Sequence, residues 1–128
     1  MLKVALVVDD SMLFRYTVCC FLEKHGFAVE SATNGEEALE VLARVRPALI
    51  VTDMGMPRMS GSELITAVKR RQEIADVPII IVTGQASGFD KSETRANFAI
   101  YKDIDIDAQL LKALDALMGK AGEAAAGH

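Results

Sequence analysis

A chain of 128 residues, 51% of them apolar and 25% charged, is the size of one globular domain built on a single hydrophobic core. Eighteen acidic side chains against fourteen basic ones leave a formal charge of −4, which provides no basic field to gather a nucleic acid, so none is expected as a partner. The longest apolar runs, Val4 to Val8 and Ile79 to Val82, fall far short of the roughly 20 residues a bilayer span needs. Met1-Leu2-Lys3 enters the first run without a leader pattern, so no membrane association is expected and the cytoplasm is the expected compartment.

The first element is a strand, Lys3 to Val8, continuously apolar as a parallel strand covered on both faces should be, and it ends in Asp9-Asp10. Ser11 to His25 follows as a helix apolar almost all round (Met12, Leu13, Phe14, Tyr16, Val18, Cys19, Phe21, Leu22), which predicts the most buried helix of the fold. Cys19 and Cys20 are adjacent on it and point about 100° apart, so they cannot bridge and read as small core residues in a reducing compartment. His25 and His128 are too isolated to suggest a metal site. A half-polar strand, Ala28 to Ala32, leads into Thr33-x-x-Glu36, a capping-box pattern that predicts a helix start ahead of the stripe Ala38, Val41, Leu42 and Val45.

Ala48 to Thr52 is the third strand, with Asp53 at its end. Ser60-x-x-Glu63 opens a helix with the stripe Gly61, Leu64, Ile65 and Val68. Ile79 to Val82 is the fourth strand and ends in Thr83-Gly84. The connection 85–97 holds only Ala86, Phe89 and Ala96 as apolar residues, so a fourth helix there should be short or irregular. Phe98 to Tyr101 is the fifth strand, followed by Lys102-Asp103 and a last helix striped by Leu110, Leu111, Leu114, Leu117 and Met118. Residues 1–118 thus read as one domain, and 119–128, with no packing stripe, as a disordered tail.

Strands alternating with helices in this way predict an α/β fold, a doubly wound five-stranded parallel sheet of (βα)5 type. Such a sheet works at the carboxyl ends of its strands. Asp9, Asp10, Asp53, Thr83 and Lys102 all stand there. Three carboxylates within about 5 Å would repel by several kcal/mol at an intermediate effective dielectric, and a hard divalent cation such as Mg2+ relieves that. The chemistry that fits is phosphoryl transfer onto a carboxylate, with Asp53 as nucleophile, Asp9 and Asp10 holding the metal, Lys102 pairing with phosphoryl oxygens, Thr83 donating to one of them and Gly84 leaving room. Taken singly, these residues have plainer roles. A strand-end Asp can cap the next helix, Met54, Met56 and Met59 can pack a loop, Pro57 can fix a turn, and Arg15 and Lys69-Arg70-Arg71 can be solvated faces.

Val8-Asp9-Asp10-Ser11, Asp53-Met54-Gly55-Met56-Pro57 with Ser60-Gly61, Val82-Thr83-Gly84 and Tyr101-Lys102, taken together, resemble the receiver domain of two-component response regulators, in particular the stand-alone chemotaxis regulators, over residues 2–118. The resemblance implies a flavodoxin-like strand order 2-1-3-4-5, with Asp53 as phosphoacceptor. It also implies Mg2+ held by Asp9, Asp10, Asp53 and the Gly55 carbonyl, and Thr83 and Lys102 carrying the signal. The phosphodonor would be a histidine kinase or histidine phosphotransfer protein, and the output a reversible contact with a downstream protein. Such a chain is a signalling switch that assists its own phosphorylation and dephosphorylation, with Gln85 placed to influence the attacking water, rather than an enzyme.

The chain departs from the family at three places. Asp103 stands where Pro usually follows the lysine, so a trans bond is expected before it; Ala99 replaces a common aromatic; and the stretch between Thr83 and Lys102 is short. Output is therefore expected through ordering of 85–97 instead of an aromatic rotamer. An Asp-nucleophile phosphatase of the haloacid dehalogenase type would need its nucleophile on the first strand, two residues before a second Asp. A flavodoxin would need a loop after the first strand that is not acidic. A degenerate receiver serving only as a binding module is disfavoured because all five site residues are present.

Overall fold

The computed structural model describes residues 3–56, 58–84, 95–102 and 105–118. The β-branched and aliphatic runs form β1 (Lys3–Val8), β2 (Phe27–Ala32), β3 (Leu49–Asp53), β4 (Ile79–Thr83) and β5 (Phe98–Tyr101); the striped segments form α1 (Met12–Lys24), α2 (Gly35–Leu42), α3 (Gly61–Lys69) and α4 (Ile106–Met118). The strands pair in parallel in the order β2-β1-β3-β4-β5. β1, β3 and β4 are therefore interior, which is why their sequences are apolar without alternation, whereas β2 lies at an edge and carries the exposed Ser31.

Alternate residues of β1, β3 and β4 feed two cores. Ala5, Val7, Val51, Ile80 and Val82 pack with Val18 and Leu22 of α1 and Leu110 and Leu114 of α4 on one face. Leu6, Val8, Ile50, Ile79 and Ile81 pack with Ala38 and Leu42 of α2 and Leu64 and Ile65 of α3 on the other. The sheet is thus covered on both sides, and every strand delivers its carboxyl end to one rim. Among the described residues no helix is long and apolar enough to cross a membrane.

Three helical expectations need correction. α1 is not the most buried helix: Val18, Phe21 and Leu22 are buried, but Met12, Leu13 and Tyr16 are 72%, 77% and 67% exposed. The helix lies on one face of the sheet, so a single stripe is covered, and its first turn stands at the carboxyl rim where β1 has ended. The box expected at Thr33 and Glu36 is shifted by one residue. Asn34 is the N-cap and accepts from the Glu37 amide at 2.9 Å, while the Glu37 carboxylate accepts from both the Thr33 amide and its hydroxyl at 2.8 Å. On α4 the buried stripe is Leu110, Ala113 and Leu114; Leu111 turns 46% exposed. The expectations for Pro57, for residues 85–94 of the 85–97 connection, for the Lys102-Asp103 bond and for 119–128 lie outside the described residues.

Cys19 and Cys20, expected in the core, are only half-buried. Other local expectations are met. Ser60 and Glu63 form the reciprocal capping box at 3.2 and 2.9 Å. Gly61, Leu64, Ile65 and Val68 are all buried. His25 caps α1, stacking on Phe21 and hydrogen bonding to its carbonyl through Nδ1, a structural role.

Candidate functional site

β1 and β3 are neighbours in the sheet, with Val8 level with Thr52, so the residues that follow, Asp9 and Asp53, emerge side by side at the rim. Asp10 completes an acidic cluster: one carboxylate oxygen from each of Asp9, Asp10 and Asp53 lies within 4.8 Å of the others. Asp9 and Asp53 are buried and Asp10 is exposed. From the opposite side β5 brings Lys102, whose ammonium lies 3.2 Å from Asp9 Oδ2 and 3.6 Å from Asp53 Oδ2. The amide of Lys102 donates to the Thr83 carbonyl at 2.8 Å, which locks the end of β5 to the end of β4. Thr83, half-buried at the end of β4, is the next residue after Val82, the register partner of Asp53. A Cβ built on Gly84 or Gly55 would meet nothing within 4 Å, so the mouth beside Thr83 and Asp53 is open.

Each carboxylate is held differently. Asp9 Oδ1 accepts from the Ser11 amide at 2.8 Å and from the Lys102 ammonium at 3.4 Å. Its Oδ2 is buried and accepts no hydrogen bond from the described residues, among which the ammonium charge beside it offsets its desolvation. Burial, with the Asp9 charge second, raises the Asp53 carboxyl above the usual carboxylate range. The Lys102 ammonium and a hydrogen bond from the Gly55 amide oppose this, and Asp10 adds a further upward push.

The sequence reading did not anticipate several supports. Phe14 lies under Lys102, with the ammonium 4.8 Å from its ring centre. The Arg15 guanidinium donates to the Asp9 carbonyl at 2.7 Å, so it is neither a solvated face nor a free contact. Both sit in the first turns of α1 just beyond Ser11, a placement that the helical spacing from the N-cap could have revealed. Gly61 is pressed against the end of β3: a Cβ there would stand 2.5 Å from the Asp53 carbonyl oxygen and 2.9 Å from Met54 Cα, and its amide donates to the Met54 carbonyl at 3.0 Å. Met56 is buried, and Met54 and Met59 pack against the α2/α3 core, so these methionines fill the loop.

A family model for the response regulator receiver domain matches residues 5–115. The chain belongs to that family. This receiver domain is 30% identical over 116 residues to Protein PilH of Pseudomonas aeruginosa, covering 88% of this chain and 95% of that protein. The chemotaxis response regulator CheY4 of Vibrio cholerae superposes with a TM-score of 0.83 at 32% identity, covering 91% of this chain and 99% of that one. Response regulator MprA of Mycobacterium leprae is 38% identical over 82 residues, which are 64% of this chain but 35% of that longer protein. The five-stranded receiver fold and the chemotaxis-like kinship of the chain follow from these matches.

Proposed function

We propose that Asp53 of this chain accepts a phosphoryl group in a Mg2+-dependent transfer from a phosphohistidine, carried by a histidine kinase or a histidine phosphotransfer protein. The observation that carries the reading is the buried Asp9 Oδ2, which no hydrogen bond from the described residues satisfies, inside a cluster of three carboxylates. A donor set made only of hard oxygens, with one lone pair left unpaired, fits Mg2+. Asp9, Asp10, Asp53 and the Gly55 carbonyl would hold the ion, which would supply positive charge for the phosphoryl oxygens.

The chain's own residues do the rest. An Asp53 carboxylate oxygen bonds to phosphorus as the bond from phosphorus to the donor imidazole breaks, and the electron pair of that bond returns to the imidazole. Lys102, already poised between Asp9 and Asp53, neutralises the transferred oxygens, and the Thr83 hydroxyl donates to one of them. The open mouth at Gly84 admits the group. The exposed Met12, Leu13 and Tyr16 beside the rim support a protein as phosphodonor, since a small phosphodonor has no use for an apolar margin. The same reading makes residues 1–118 the switch domain, places it in the cytoplasm with its donor, and gives it a downstream protein as target.

The test is phosphorylation by acetyl phosphate followed by intact mass measurement. Wild type should take up one phosphoryl group, Asp53→Ala none, and chelation of Mg2+ should abolish uptake. Unchanged stoichiometry in Asp53→Ala would overturn the assignment.

A further inference from the structure

We infer that Arg15 is a positioning residue for the metal ligands, setting Asp10 through the peptide that joins it to Asp9. The inference rests on the Mg2+ reading above. Besides its pairing with Lys102, Asp9 makes three hydrogen bonds: its amide donates to the Ala32 carbonyl at 3.1 Å, its carboxylate accepts from the Ser11 amide, and its carbonyl accepts from Arg15 Nη1 at 2.7 Å. The first two bonds fix Asp9 itself. The third fixes something else. The Asp9 carbonyl belongs to the planar peptide whose other end is the Asp10 amide, so a bond to that oxygen sets the orientation of the plane and with it the direction in which the Asp10 side chain leaves the chain.

Asp10 needs this more than its neighbours do. It is the exposed member of the cluster, whereas Asp9 and Asp53 are enclosed by the sheet and by Lys102. An exposed carboxylate on a turn gains little order from packing, and ligand sets bind well only when their supports are ordered beforehand. The guanidinium can serve because Arg15 lies one helical turn beyond the N-cap Ser11, its own amide bonded to the Ser11 carbonyl at 2.9 Å, so its side chain points back toward the β1 terminus.

The sign of the effect separates positioning from simple charge. A cation close to the site opposes Mg2+ electrostatically, so if Arg15 acted by charge alone its neutralisation would tighten binding. If it positions Asp10, neutralisation weakens binding. The test compares wild type, Arg15→Met, which keeps an apolar stem without a donor, and Arg15→Lys, which keeps charge and one donor group. Mg2+ affinity is read by calorimetry and Mn2+ affinity by electron paramagnetic resonance, both on unphosphorylated protein well below its melting temperature.

Roughly tenfold weaker binding is expected in Arg15→Met, the lower end of what supports of metal ligands contribute, with Arg15→Lys in between. Phosphorylation of Arg15→Met by acetyl phosphate should return to the wild-type rate once Mg2+ saturates, the concentration dependence alone having shifted. Equal or tighter binding in Arg15→Met would overturn the inference, as would a rate that saturating Mg2+ does not restore. If wild type itself bound neither ion, the Mg2+ reading would fall with it, whereas binding by wild type that Arg15→Met matches would remove only the role given to Arg15.

Discussion

Replacing Asp53 by Asn should stabilise the metal-free protein near neutral pH, because the surroundings of the native carboxyl disfavour its charged form. The attraction of Lys102 at 3.6 Å is about 4 to 5 kcal/mol at an effective dielectric of about 20. Repulsion from Asp9 across no more than 4.8 Å is at least about 3 kcal/mol on the same scale. Asp10, within the same distance but solvent-screened, adds a weaker repulsion, so the charges together do not favour ionisation and burial tips the balance, in agreement with the upward direction of the Asp53 pKa and with burial as its leading cause. Asn keeps the shape and an acceptor for the Gly55 amide, and the gain should be about 1 to 3 kcal/mol, or roughly 4 °C in melting temperature per kcal/mol for a domain of this length.

The pH dependence has a fixed sign. Unfolded, Asp53 titrates near the ordinary value of about 3.9, and folded it titrates higher, so between the two the native state binds more protons and wild-type stability falls as pH rises. The advantage of Asp53→Asn should therefore be absent below that window, grow through it, and stay level above the folded pKa. Denaturant unfolding in chelator across this range is the assay, and added Mg2+ should narrow the gap by stabilising wild type more. A variant less stable than wild type near neutrality, or an offset that does not change with pH, would refute the reasoning.

Three other outcomes follow from particular contacts. Ser60→Ala removes one half of the capping box of α3 and should cost about 1 kcal/mol by urea denaturation. Gly61→Ala drives a Cβ into the Asp53 carbonyl and Met54 Cα, so it should cost about 1 to 3 kcal/mol and slow acetyl phosphate uptake at Asp53, measured on folded protein. Serine at both Leu13 and Tyr16, exposed on α1, should leave stability within about 0.5 kcal/mol and acetyl phosphate uptake unchanged, while transfer from a phosphohistidine protein becomes markedly slower.

Strand positions and the polar residues gathered at the candidate site were legible because each rests on local pattern: continuous apolar runs for β1, β3 and β4, and polar residues immediately after them. The order of the sheet came from resemblance to the receiver family and not from periodicity, since no run of residues states its neighbour. The burial of α1 was misread for a physical reason. Apolar content says what a helix can bury, but Met12, Leu13 and Tyr16 stand mostly exposed where α1 meets the rim. The shifted cap at Asn34 shows two competent capping residues side by side, where the hydrogen bonds of Glu37 decide. Arg15 was missed because its partner is a backbone carbonyl, and backbone acceptors leave no mark on the residue that carries them.

The ion pair between Lys102 and Asp9 spans 93 positions of the chain. It governs the order in which the charges can meet during folding. A growing chain that has completed β1 to β3 already holds Asp9, Asp10 and Asp53, yet lacks the Lys102 ammonium that lies beside Asp9 and Asp53 in the finished site. Closing so long a loop is entropically slow, but its last step brings a positive charge onto a mutually repelling cluster. Docking of the final strand is thus drawn by the charge it neutralises, and a truncated or half-translated chain cannot assemble the completed charge set.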